Sequence, residues 1–143
     1  MRKILWFSEF RLNTDGTLFF GTWHASMARL LLSTNEVELY NVTQGKVKQV
    51  EEVSSRGIKE WVVPTSRLSK SGLPSEAIIR GVKAIVDDVK PDLIHIWGME
   101  QYWALLSSRG FVEGKVLLEI QGIKRACADV FYGGLNALEV LSC

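Results

Sequence analysis

Cysteine and histidine are scarce in this chain. Its 143 residues hold 2 cysteines, Cys127 and Cys143, too few for the disulfide framework that small secreted domains rely on. The 2 histidines, His24 and His95, have no cysteine or carboxylate at ligand spacing, so neither a structural nor a catalytic zinc centre is expected. Charge of one sign is missing too. Lys and Arg total 17 against 16 Asp and Glu, a net charge of +1, which leaves no basic face for nucleic acid and no acidic tail. No apolar run approaches the roughly 20 residues that span a bilayer. The opening MRKILWF starts like a signal peptide, but Glu9, Arg11 and Asp15 follow too soon for its apolar region. These absences lead us to expect a cytoplasmic protein. Also absent are the glycine fingerprint of dinucleotide binding, the phosphate loop G-x-x-x-x-G-K-[ST] and a G-x-S-x-G nucleophile elbow.

What is there reads as one domain. Hydrophobic residues make up 47% and charged residues 23%, ordinary for a globular protein, and tryptophan is frequent at 5. KILWFSEF (3–10) is a continuous apolar run of the kind a buried central strand shows. After a polar turn with Asn13, Asp15 and Gly16 comes LFFGTWHASMARLLL, where Trp23, Met27, Leu30 and Leu31 recur at helical spacing. EVELYNVT (36–43) alternates as a strand, KVKQVEEV (46–53) is a weaker edge strand, and GIKEWVVP (57–64) is a strand ended by its proline. TSRLSKSGLP (65–74) is a loop whose Pro74, with Ser75 and Glu76, signals a helix start. Ile78, Val82, Ile85, Val86 and Val89 form the apolar stripe of that helix, and Pro91 stops it. DLIHIW (92–97) is a strand, 99–108 a helix with Gly110 as its cap, and KVLLEI (115–120) a strand. Residues 121–143 read as loop and short helix. The alternation predicts an α/β fold, Rossmann-like, with a mostly parallel sheet and helices on both faces. Its core is expected to include Ile4, Leu5, Leu93, Ile94, Val116 and Leu118.

In such sheets ligands sit beyond the carboxyl ends of the strands. Three segments fall there: the loop 8–22, the segment from Trp97 to Glu100, and Gln121 with Gly122. Gly21 opens a helix whose N-terminal amides suit an anion, though a glycine easing tight packing explains it equally well. His95 sits inside a buried strand, where a hydrogen-bonded core histidine is the commoner outcome than a catalytic one. His24 reads as surface. Glu100 falls in a first helical turn, where the dipole favours an acid whatever its role. Trp97 caps the core, and Tyr102 and Trp103 share helical spacing with Met99 and Leu106, the pattern of core residues. Gln121 and Gly122 place an amide and a flexible backbone at a strand end, suited to hydroxyl recognition or to a plain turn.

Taken in order, MRKILWFSE, GTWHASMARLL, EVELYNVTQG, PSEAIIRGVKAIVDDVKPDLIHIWGMEQYWALL and KVLLEIQG resemble the N-terminal half of group 1, family 4-like glycosyltransferases. KPDLIHIWG is the most specific piece, and the resemblance covers about residues 2–124. It implies a GT-B fold of two Rossmann-like domains facing across a cleft, and transfer of a sugar from a nucleotide sugar, with retention and without a metal or other cofactor. It further implies that 1–143 form the acceptor-side domain. The C-terminal domain, which holds most of the donor, would then lie outside this chain, and the chain alone would be inactive. By the match, Gly21 and Thr22 correspond to the glycine-rich loop near the diphosphate, and Gln121 and Gly122 to a position after a strand where many members carry a histidine. His95, Gly98 and Glu100 would line the cleft, with Glu100 near acceptor hydroxyls.

This sequence departs from the family at those places. Gly21 is followed by Thr22 where members commonly pair glycines, and Gln121 cannot take a proton at neutral pH. Partners implied are the C-terminal domain, a nucleotide sugar, and a saccharide or lipid-linked acceptor, with no nucleic acid. A peripheral contact with the inner face of the membrane through Trp23, Met27, Leu30 and Leu31 stays open, although any helix between parallel strands needs a core-facing stripe. Two other classes also stay open. One is a stand-alone Rossmann-like binding or interaction module without catalysis. The other is a nicotinamide-dependent enzyme, which the absent glycine fingerprint opposes.

Overall fold

The computed structural model describes residues 1–14, 17–18, 23–55, 58–98 and 101–120. The strands are β1 (Arg2–Phe7), β2 (Asn13–Thr14), β3 (Thr17–Leu18), β4 (Val37–Gly45), β5 (Glu51–Ser55), β6 (Ile58–Pro64), β7 (Leu93–Trp97) and β8 (Val116–Glu119). Three helices join them: α1 (Trp23–Ser33), α2 (Glu76–Val89) and α3 (Trp103–Ser108). The main sheet has the order β5-β6-β4-β1-β7-β8, and β2 pairs with β3 apart from it. Within the main sheet only the β5–β6 pair is antiparallel. The chain is therefore an α/β protein with a mostly parallel sheet, and β1 lies at its centre, as its unbroken apolar run requires.

The order sets where a crevice forms. From β1 the chain moves through α1 to β4 on one side and on to β6, and α2 then carries it back across β1 to β7 on the other side. The connections leave in opposite directions at β1 and β7, which opens a gap at their carboxyl ends.

Helices cover both faces. On one, α2 and α3 press Ile78, Val82, Ile85, Val86, Val89, Trp103 and Leu106 onto Leu5, Phe7, Val42, Trp61, Val63, Ile94 and Ile96. Each buried aliphatic there contributes about 1.5–3 kcal/mol. The other face is smaller: Trp6, Leu12, Ala28, Leu39, Ile58 and Trp97, with Ile4, Leu31 and Leu32 against them. Ser75 is the N-cap of α2, so Pro74 precedes the helix and does not open it. Lys90 closes α2 in a left-handed conformation, donating its amide to the Val86 carbonyl at 2.8 Å. Pro91 disfavours the right-handed helical region at the residue before it, which stops the helix there. Gly110, at φ +75°, ends α3 as its position suggested.

Five expectations are corrected. The face of α1 turned inward is His24, Ala25 and Ala28, while Trp23, Met27 and Leu30 face outward. Small residues let the helix lie close to the sheet, and the larger apolar side chains take the open side. His24 is accordingly core, at 3% exposure, and not surface. The helix expected over 99–108 begins at Trp103, because Gln101 and Tyr102 are still turning out of the strand end. Val116 is exposed; among the described residues β8 is an edge strand, paired with β7 alone. Leu5 and Ile94 are fully buried, whereas Ile4, Leu93 and Leu118 are half-buried.

Candidate functional site

Parallel register puts alternate residues of all strands on one face. Trp6 pairs with Asn41 and His95, and Asn41 with Glu60; Trp97 pairs with Glu119. On the α1 side, near the carboxyl ends, this yields a row running Glu60, Asn41, Trp6, His95 and Trp97, Glu119. Ser8, the residue after β1, joins it.

The β6–β4–β1 end of the row is a closed polar network. Glu60 is fully buried, and its Oε2 accepts from Asn41 Nδ2 at 2.6 Å and from the Leu12 amide at 2.7 Å. Arg11 Nε stands 4.0 Å from Oε1. Asn41 Nδ2 also donates to the Phe10 carbonyl at 3.1 Å, while Ser8 Oγ lies 2.8 Å from Asn41 Oδ1 and 3.0 Å from that same carbonyl. A buried carboxylate is tolerated only when its lone pairs are taken up in this way. The outcome is a clamp that fixes residues 8–12, the first stretch of the loop after β1, to the middle of the sheet.

The β7–β8 end is aromatic. His95 stacks on Trp97 with ring centroids 4.2 Å apart, and its Nε2 lies 3.2 Å from Glu119 Oε2. A carboxylate can only accept, so this pair requires the proton on Nε2 and leaves Nδ1 as an acceptor. His24, from the first turn of α1, lies 4.5 Å from Trp97 and 4.4 Å from Trp23. Among the described residues neither of its ring nitrogens has a partner, and the indole nitrogens of Trp6 and Trp97 are likewise buried without one. Burial pushes the His24 pKa down; Glu119 opposes that shift and His95 adds to it. Burial also lowers the His95 pKa, against the pull of Glu119. Both rings are held towards the neutral form because an imidazolium here would lose its hydration.

Above the row, the tips of three strands are tied by amides. Gln44 Nε2 donates to Gln101 Oε1 at 2.6 Å, and Gln101 Nε2 donates to Glu9 Oε1 at 3.2 Å. Glu9 follows β1, Gln44 is near the end of β4, and Gln101 follows β7, so this chain spans the crevice rim.

Among the residues proposed from sequence, His95 and Gly98 are brought to this place. Gly98 is buried at φ +89°, where a side chain would be strained, and its amide donates to the Glu119 carbonyl at 2.9 Å. Gly21, Thr22, Glu100, Gln121 and Gly122 lie outside the described residues. The sequence reading missed Ser8, Asn41, Glu60, Gln101 and Glu119. A signal existed for two of them: Glu60 and Glu119 are the single acids of two mostly apolar strands, GIKEWVVP and KVLLEI. Among the described residues, no group of three or more His, Cys, Asp or Glu could hold a metal ion. No helix among them is long and apolar enough to cross a membrane. Two open hollows of ≈740 and ≈690 Å³, lined by Arg2, Ile4 and Asp92 among others, lie at the opposite, amino ends of the strands.

No family model matches the sequence, and no curated protein matches it. Among solved structures, a similar one is trehalose-6-phosphate from E. coli bound with UDP-2-fluoro glucose. The match has 10% identity and a TM-score of 0.46, over 82% of this chain and 32% of that one. This chain thus spans about a third of the solved chain it resembles. A likeness of this degree says nothing about chemistry.

Proposed function

We propose that these residues form the acceptor-side, Rossmann-like half of a retaining glycosyltransferase, with a donor-binding half outside them. The whole enzyme would move a sugar from a nucleotide sugar to a saccharide or lipid-linked acceptor, without a metal. The observation that carries this reading is the rim at the β1–β7 crevice. Glu9, Gln44, Gln101 and Glu119 offer fixed amide and carboxylate groups there, the chemistry that recognises several hydroxyls at once. The KPDLIHIWG resemblance supplies the reaction class. Catalysis would rest on positioning and on stabilising the leaving diphosphate.

The division between halves has a measurable consequence. The N-terminus of α1 offers an exposed anion about 0.3–1 kcal/mol, far below the roughly 5–6 kcal/mol of a sub-millimolar complex. Calorimetry of this chain with uridine, guanosine and adenosine diphosphate sugars should therefore show no binding. In the longer enzyme, Gln101→Ala should lower kcat/KM for the acceptor by about threefold to tenfold, one neutral hydrogen bond's worth. Micromolar binding of a nucleotide sugar by this chain alone, or unchanged kcat/KM in the variant, would overturn the reading.

A further inference from the structure

Trp23 sits at the first position of α1 and is 47% exposed, yet its ring is not loose. It packs edge-on to Trp97 at 4.8 Å and lies tilted against His24 at 4.4 Å. Two buried rings therefore fix one large aromatic side chain in place while much of its surface stays open. Across the same Trp97, Glu119 keeps a carboxylate side chain 39% exposed, and His95 anchors its Oε2.

We infer that Trp23 and Glu119 form a subsite for a neutral pyranose ring. This rests on the sugar-transfer reading and adds to it the residues and the ligand class. A pyranose has a face of C–H bonds and a rim of hydroxyls. The C–H face suits the electron-rich face of an indole, and the hydroxyls suit a carboxylate that can only accept. Ring contacts hold Trp23 and the hydrogen bond from His95 holds Glu119, so little side-chain freedom is lost when a ligand arrives. His24, buried without a hydrogen-bond partner among the described residues, belongs to the same design: its ring supports Trp23 through a tilted contact and Trp97 through an edge-to-face one. Met27 and Leu30 extend the exposed strip along α1 beyond the reach of one sugar ring, so a lipid surface is the rival occupant.

The test uses this chain with its indole N–H signals followed by NMR during titration with glucose, maltose and trehalose. The Trp23 and Trp97 signals should shift along a saturating curve. The shift should vanish in Trp23→Ala and weaken about tenfold in Glu119→Gln, a change of about 1.4 kcal/mol, while Leu30→Ala leaves it intact. Each variant should keep the wild-type melting temperature within a few degrees, because Trp23, Glu119 and Leu30 all keep much of their surface exposed. No shift at about 100 mM sugar, a hundredfold above a millimolar dissociation constant, would overturn the proposal. Shifts that survive Trp23→Ala would do so as well. So would Trp23 binding to vesicles of anionic phospholipid in the absence of any sugar response. Failure here leaves the acceptor kinetics of Gln101→Ala untouched, so the subsite and the transfer reading fail separately.

Discussion

The two faces of the central sheet are built on different principles. Under α2 and α3 the described cluster is mostly hydrocarbon, drawn from Leu, Ile, Val, Phe and Trp with one tyrosine, Tyr102. Under α1 the apolar cluster is smaller, and all five buried polar side chains in the described residues, Ser8, His24, Asn41, Thr43 and Glu60, lie on that side. One face stabilises by burying area, which tolerates exchange among similar shapes. The other holds polar groups whose burial costs free energy unless they are matched, and Ser8, Asn41 and Glu60 are matched through one fixed hydrogen-bonded arrangement. The contrast teaches which side of the molecule is committed to positioning and which to stability.

The largest expected effect comes from breaking the hydrocarbon face. Trp103 is almost fully buried and stacks on Phe7 with centroids 5.1 Å apart. Trp103→Ala should cost about 3–5 kcal/mol in urea denaturation, while chemical shifts of Leu12 and the loop beside it stay close to wild type in whatever folded fraction remains. Loss of the Leu12 signals together with stability would show that the two faces are not separable.

A smaller, more local effect is expected on the polar face. Asn41→Ala removes a donor from Glu60 and an acceptor from Ser8, and should cost about 1–3 kcal/mol. Hydrogen exchange at the Leu12 amide should quicken at the same time, because the clamp on the loop after β1 is opened. An unchanged exchange rate would mean that Glu60 holds this loop without Asn41.

The smallest effect is a pH dependence confined to the α1 side. His24 and His95 both have lowered pKa values in the folded protein. Below about pH 6.5, the unfolded chain takes up protons that the folded chain refuses, so stability falls as pH drops through that value and is level above it. The urea midpoint should decline from pH 7.5 to 5.5, and His24→Phe should flatten part of the decline. An identical slope in that variant would mean that His24 is not the group responsible.

Some of this was legible in the residues alone. The continuous apolar run of β1 marked a central strand, and Ile78, Val82, Ile85, Val86 and Val89 marked the buried stripe of α2; both signals are local periodicities fixed by the geometry of one element. Gly98 and His95 were placed at a strand end for the same reason. The helix α1 was misread because periodicity identifies a stripe and not the direction it faces. Trp23, Met27 and Leu30 recur correctly and still point outward, since the close approach of α1 to the sheet needs Ala25 and Ala28.

The sequence by itself determined the alternation of strands and helices, the central position of β1 and the break at Pro91, because each follows from the conformational preferences of residues a few positions apart. Only the tertiary structure decided that Ser8, Asn41 and Glu60 form one clamp, and that His24, His95, Trp97 and Glu119 form one cluster. Those partners are separated by tens of residues, and what brings them together is the register of parallel strands. The hydrophobic pattern of a strand says which of its residues share a face, but which residue of another strand lies opposite is decided only when the sheet packs against its helices.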